Sequence, residues 1–330
     1  MAYTTIDDPS AYFQTVLYTG NQTARSITND GNSDLQPDWV WDKNRTTSGY
    51  HHNLYDSTRG TGKQLRSNTN DAEITQAQGL TAFNSDGFSL GTDDSSNKTS
   101  SEYVAWQWKA NGGTTASNTD GSITSTVQAN TTAGFSIISY TGNGSDGATI
   151  GHGLNETPQI FFPKCLSTTT NWEMYYFPTG GTRQYGYLNL TNKFETWPHN
   201  APSSTIISLS GSGDSNGNGR ANIGYAFHSV QGYSRIGTYT GNGNADGPFV
   251  YLGFKPAWLL IKQSSAAGEN WRLFDSARST FNQVNKHLVP STSGAESAET
   301  GCDFLSNGFK LRDADAHQNS ATTYIYMAFA

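Results

Sequence analysis

The sequence predicts an all-β protein of three tandem β-sandwich repeats, jelly-roll or lectin-like in kind, and three observations carry that prediction. One order of elements recurs three times: an aromatic strand running into Tyr-Thr-Gly-Asn, a Pro-led apolar run ending in Lys, and a closing strand with Ala before an aromatic residue. The spacing of the middle element does not vary, from Pro37 to Lys43, Pro158 to Lys164 and Pro256 to Lys262. The punctuation is that of β structure, with 35 Gly in 330 residues and Asp-Gly or Asn-Gly steps between apolar runs. A fixed order with one fixed spacing marks copies of a single supersecondary unit. The units are expected at 1–110, at 111–231 (a connector followed by the second unit) and at 232–330.

Each unit opens with an alternating strand: Phe13 to Tyr18, Phe135 to Tyr140, and Ile236 to Tyr239. The strands run into Tyr18-Thr19-Gly20-Asn21, Tyr140-Thr141-Gly142-Asn143 and Tyr239-Thr240-Gly241-Asn242, turn chemistry that tolerates positive φ. Gly142, Gly144 and Gly147 also have the spacing of a dinucleotide-binding turn. The next residues, Ala148 to Gly153, cannot open the helix that would carry a pyrophosphate, so the turn is structural. The Pro-led runs hold Trp39-Val40-Trp41, Ile160-Phe161-Phe162 and Trp258-Leu259-Leu260. Neighbours on a strand face opposite sides, so these strands are apolar on both faces and belong inside a sandwich, against a neighbouring unit or subunit. Lys43, Lys164 and Lys262 are expected where the strands leave the core, as solvated ends.

Units one and three then share Leu54-Tyr55-Asp56-Ser57-Thr58-Arg59 and Leu273-Phe274-Asp275-Ser276-Ala277-Arg278, whereas unit two has Tyr175-Tyr176-Phe177-Pro178. The Asp and Arg are expected to fix their own turn, Asp accepting backbone bonds and Arg pairing with it; holding an anionic or sugar ligand is the alternative. Hairpins are expected at Phe83 to Phe88 and Phe304 to Phe309. Thr61 to Gln78 and Pro290 to Gly301 read as loops, with one short helix near Asp71 to Gln78. Asn111 to Thr132 reads as a connector whose Ile123 and Val127 pack along a surface. The closing strands carry Ala105-Trp106, Ala226-Phe227 and Ala328-Phe329. Trp39, Trp106, Trp258 and Trp271 are expected in the core, and Cys165 and Cys302 as small apolar fillers rather than a disulfide.

Charge and motifs narrow the function. A formal charge of −7 without a basic cluster argues against nucleic acid. No run approaches the length of a membrane span, and the start, Met1 to Asp8, lacks the basic and apolar segments of a leader. No zinc motif, nucleophile elbow or phosphate loop appears. His51-His52 is expected as an exposed loop pair. Asp214-X-Asn216-X-Asn218-Gly219 begins like a calcium loop, but its twelfth position is Tyr225 rather than Glu. Carboxylates are few and none has a distinctive context, so an enzyme degrading surface polysaccharide is only the last alternative, and no catalytic residue, metal or cofactor is assigned. Sugar binding without cleavage is easier to supply. Trp197, in the polar loop Glu195 to Asn200, is the first candidate for stacking on a glycan, followed by Tyr185, Tyr187 and Tyr50; the alternative for each is a loop residue tucked over its own unit.

The motif set resembles a family of structural proteins of tailed phages, especially marine ones, often labelled tail-fibre-like or virion structural proteins. The residues that carry the likeness are Tyr140 to Gly144, Pro37 to Arg45, Phe274 to Arg278, Ser85 to Phe88, Asn118 to Ile123 and Tyr103 to Trp106. Together they cover nearly the whole chain. The resemblance implies a non-enzymatic virion component of β-sandwich domains, with other virion proteins and copies of itself as expected partners; Trp197 and the Tyr-, Asn- and Thr-rich loops add host-surface glycan as a second reading. Unit two departs from the pattern by losing the Asp-Ser-X-Arg element and the Asp-Gly-Phe hairpin. With no heptad stalk or collagen-like tract, the chain is expected to be a compact decoration, knob or short appendage.

Overall fold

In the computed structural model, which describes residues 4–330, the chain is all-β and sandwich-like, and its 27 strands form three large sheets and two small ones. The leader reading and the start of the first unit fall partly on residues 1–3, outside the described residues. The first third runs β1 (Phe13–Thr19), β2 (Arg25–Ile27), β3 (Trp39–Asn44), β4 (His52–Asp56), β5 (Lys63–Arg66), β6 (Ile74–Thr75), β7 (Leu80–Phe83), β8 (Phe88–Leu90) and β9 (Glu102–Trp108). The second runs β10 (Ala116–Asn118), β11 (Ser125–Asn130), β12 (Phe135–Thr141), β13 (Thr149–Gly151), β14 (Ile160–Cys165), β15 (Glu173–Tyr176), β16 (Gln184–Tyr187), β17 (Glu195–Thr196), β18 (Ile206–Ser208) and β19 (Ala221–Phe227). The third runs β20 (Ser234–Thr240), β21 (Phe249–Tyr251), β22 (Trp258–Gln263), β23 (Arg272–Asp275), β24 (Val284–Leu288), β25 (Ser297–Leu305), β26 (Gly308–Leu311) and β27 (Thr323–Phe329). The large sheets have the orders β1-β9-β3-β4-β5-β6, β10-β11-β12-β19-β14-β15-β16-β17 and β20-β27-β22-β23-β24-β25-β26-β21.

In each large sheet the Pro-led strand lies between the closing strand and the next strand in sequence, so Trp41, Phe162 and Leu260 stand opposite Trp106, Tyr225 and Met327. Both faces of these strands are dry. Val40, Phe161 and Leu259 point into three outer clusters, one behind each sheet. Trp39, Trp41, Ile160, Phe162, Trp258 and Leu260 point the other way, into one core shared by all three sheets. There Trp39 stacks on Tyr225 at 4.5 Å, Trp108 meets Trp258 at 5.5 Å and Phe227 meets Phe329 at 5.9 Å, so every pair of sheets is joined by aromatic contact. Each such side chain contributes roughly 1.5–3 kcal/mol by leaving water.

The Tyr-Thr-Gly-Asn steps are locks. Tyr18, Tyr140 and Tyr239 donate their hydroxyls to the carbonyls of Ser96, Ser215 and Gln318 at 2.9, 2.6 and 2.6 Å. The following Asn21, Asn143 and Asn242 donate their N–H to the side-chain oxygens of Asn97, Asn216 and Asn319, each at 3.0 Å. Glycine is required between them because the loop backbone presses there: a Cβ on Gly142 would sit 2.5 Å from the Gly217 carbonyl oxygen.

The Asp-Ser-X-Arg turns also fasten sheet to sheet. Asp56 accepts the Arg59 N–H at 2.8 Å and its guanidinium at 2.5 Å, then accepts the Tyr225 hydroxyl of the second sheet at 2.7 Å. Asp275 does the same with Arg278 and then accepts the Trp106 indole N–H of the first sheet at 3.0 Å. In the second sheet the matching position, opposite the first residue of the Pro-led strand, is Tyr176. A second set of bonds runs from Trp172 to the Arg66 carbonyl at 2.8 Å and from Trp271 to the Tyr187 carbonyl at 3.0 Å.

Several expectations are corrected. Lys43, Lys164 and Lys262 are not solvated ends but fully buried, on the face that carries Trp41, Phe162 and Leu260. Each ammonium donates to the carbonyl of the next residue, at 2.7, 3.1 and 2.7 Å. Burial pushes all three down to about 8. His51-His52 is not an exposed pair: His52 lies on β4, is fully buried and accepts the Trp41 indole N–H at 3.0 Å. No helix forms at 71–78, where Gln64 and Ile74 pair β5 with β6. Among the described residues the one α-helical turn is Asp94–Asn97, which places the Ser96 carbonyl and the Asn97 side-chain oxygen for the first lock. The supposed loop at 290–301 contains the start of β25, and the connector supplies two strands, β10 and β11, with Ile123 and Val127 buried. Both cysteines are buried and free.

Candidate functional site

A continuous groove runs along the seam between the second and third sheets. It begins in a cavity of about 450 Å³ bounded by Glu156, Gln159, Phe177, Arg183 and His228. It passes between Pro178–Gly180 and the β20 residues Arg235 to Thr238, a stretch of about 430 Å³. It ends in a third hollow between Arg235 and Tyr251. Ser229 borders all three parts.

The local sequence explains why the groove opens here. After β15 the chain reads Phe177-Pro178-Thr179-Gly180-Gly181 in place of Ser-X-Arg, so no guanidinium folds back over the turn. Gly180 and Gly181 take positive φ, which swings the loop outward as a wall. Behind the wall stands Trp197, 2 % exposed, with Tyr175 at 4.1 Å, Tyr185 at 5.9 Å and His199 at 4.6 Å. Its backbone N–H donates to the Arg183 carbonyl at 2.8 Å. On the floor, Gln159 accepts the Ser229 N–H at 2.8 Å, and Ser229 accepts the Ile236 N–H at 2.9 Å. His228 presents an Nε2 with no partner. Burial raises the Tyr176 phenol to about 12, against a hydrogen bond to Thr238 that lowers it, so it is neutral throughout the physiological range.

The structure brings three of the four sugar-stacking candidates together and leaves one apart. Trp197, Tyr185 and Tyr187 form a ladder, with Tyr185 and Tyr187 half-buried and 6.3 Å apart. Trp197 offers no open face; it props the groove wall from behind. Tyr50 lies on the first third of the chain, half-buried, under the Lys98 ammonium at 5.1 Å. Among the described residues the exposed aromatics are others: Phe281 at 84 %, away from the groove lining, and Tyr251 at 58 % and Phe249 at 44 %, two residues apart on β21 and so on one face. Gln159, Ser229 and Arg235 escape sequence reasoning because they come from separated segments and form no motif. The only signal was that unit two broke the pattern at Phe177-Pro178.

The chemistry on offer is recognition: two guanidiniums, one carboxylate, neutral amides and hydroxyls, aromatic rims and an open backbone edge. Among the described residues no three His, Cys, Asp or Glu gather to hold a metal ion. The calcium-like string is occupied internally, since Asp214 accepts the Asn171 N–H at 3.0 Å and Asn216 holds Asn143 and Ser145. No curated protein and no solved structure matches the chain. Residues 8–330 match the model of a family described as a domain of unknown function (DUF7483), and the chain belongs to that family.

Proposed function

We propose that this chain is a non-enzymatic structural protein of a tailed-phage virion, displayed on the particle surface and bound to other virion proteins and to copies of itself. The carrying observation is where the recurrent polar residues go. Asp56, Arg59, Asp275, Arg278 and the Tyr-Thr-Gly-Asn steps are spent on fastening sheets and loops to one another, a use that suits a rigid building block. The resemblance of the motif set to virion proteins supplies the setting. Mass spectrometry and cryo-EM of purified particles test the proposal: density for this chain on the particle is expected, and its absence from intact virions ends the idea.

A second reading is host-surface glycan binding, favoured by the groove with Arg183 and the exposed Tyr251 on its borders. A glycan array with wild type, Tyr251→Ala and Tyr185→Ala is the test. Loss of signal in either variant supports it, and no binding by wild type removes it.

A further inference from the structure

Strands β1, β12 and β20 hold one position in their sheets: each pairs along its length with the closing strand and ends in Tyr-Thr. Their outer edges differ. The edge of β12 is taken by β11, from Ser125 opposite Tyr140 to Asn130 opposite Phe135. Gln128 of β11 also donates to the hydroxyls of Ser57 and Thr58 at 3.0 and 2.9 Å, tying the added strand to the turn facing it. Beside the edge of β1 its own chain packs close, the Gln14 side chain donating to the carbonyls of Ser10 and Ser33 at 2.9 and 2.7 Å.

The edge of β20 is covered by its own chain only at its start, over Ser234 to Ile236. Ser234 folds back on Val230 and Ile236 donates to Ser229, so the even-numbered residues face outward. Beyond them, among the described residues, the N–H and C=O of Thr238 meet no partner. Opposite this edge stand Pro178 and Thr179, which take the place of Thr58 and Arg59, and the cleft of about 430 Å³ lies between. An unpaired edge at the bottom of a cleft is a template for one more strand.

We propose that the β20 edge is a strand-addition site that takes one extended peptide segment from another protein, as β12 takes β11 within this chain. The wall decides the occupant. A second copy would bring an edge with a whole sheet behind it, which Pro178–Gly180 obstructs, whereas a single strand enters as β11 does. Arg235 lines the cleft and disfavours Lys or Arg in the guest. The segment is therefore uncharged or acidic and rich in Ser, Thr, Val and Ala, like Ser125-Thr126-Val127-Gln128-Ala129-Asn130. This goes beyond the structural role proposed above and holds whether or not the chain sits in a virion.

The probe is a fluorescein-labelled peptide copying residues 122–131, titrated into the full chain. Saturable binding is expected, with the Thr238 amide exchanging roughly tenfold more slowly in the complex, the worth of about one backbone hydrogen bond. Thr238→Pro removes an outward N–H that β27 does not use, a substitution edge strands tolerate, and should weaken binding roughly tenfold without moving the melting temperature. No saturable binding, equal affinity in Thr238→Pro, or a Thr238 amide as protected in the free chain as that of Tyr239 overturns the proposal. So does a dimer that Thr238→Pro dissociates, which would give the edge to a second copy. Should the variant fail to fold, the exchange measurement on wild type decides alone.

Discussion

At the seam between the first and second sheets, the Asp56 carboxylate holds Arg59 and reaches across to the Tyr225 hydroxyl; between the second and third sheets, the matching positions are Tyr176 and Met327, both in the shared core. The two seams differ at both ends of the contact together. Where the carboxylate is lost, the donor facing it is lost as well, and no charge or N–H is stranded. A buried ion pair and an apolar contact are thus alternative solutions to one packing problem, as expected where desolvation nearly cancels the Coulomb gain. The ionic seams carry a further layer, Arg59 to Glu73 at 3.1 Å and Arg278 to Glu296 at 3.2 Å. The apolar seam carries the open groove. What the difference teaches is that the Asp-Ser-X-Arg turn is absent where its facing donor is absent too, and that the surface opens there.

The comparison breaks most sharply at Asp275. Asp275→Ala removes the nearer carboxylate from a fully buried guanidinium, leaving it Glu296 alone, and strands the Trp106 N–H, and should lower unfolding free energy in urea by about 3 kcal/mol. It is sharpened by installing the second seam at the first: Asp56→Tyr, Arg59→Thr and Tyr225→Met together should cost under about 1.5 kcal/mol, far less than Asp56→Ala alone. If the triple variant is as unstable as the single one, the two seams are not interchangeable. Gly142→Ala drives a methyl into the Gly217 carbonyl and should cost roughly 1–3 kcal/mol, with Tyr140→Phe in the same lock near 1 kcal/mol. Differential scanning calorimetry should rank them in that order.

The smallest effect is on pH dependence. Lys43, Lys164 and Lys262 titrate near 8 when folded and at 10.5 ordinarily, so between those values the unfolded chain binds more protons. Stability therefore rises with pH across that window and is lowest below 8, where all three are charged and buried. Buried tyrosines whose phenols are pushed up, such as Tyr140 and Tyr239, oppose the trend near 10, so the rise should be read between pH 8 and about 9.5. Lys262→Met should flatten it.

Much of this architecture was legible because periodicity reports burial. The doubly apolar runs at Trp39, Ile160 and Trp258 announced strands dry on both faces, and the structure covers one face with the shared core. The lysines ending those runs misled for a physical reason: charge predicts exposure unless the backbone offers a carbonyl, and here Asn44, Cys165 and Gln263 do. The lock partners Asn97, Asn216 and Asn319 were hidden because they lie some 70–80 residues from the steps they clasp, in loops with little else in common. The groove was legible only as a departure. Trp197 drew notice as a large aromatic in a polar loop, and a loop that folds inward reads the same in sequence as one that reaches outward.

Phe13 packs on Trp108 at 5.0 Å and stacks on Phe329 at 5.3 Å, so an aromatic of β1 meets one partner early and the other only when β27 has been made. At ribosomal speed that interval is on the order of tens of seconds. For that time the nascent first third lacks its last covering strand, and a holding chaperone should be found on ribosomes stalled before Phe329.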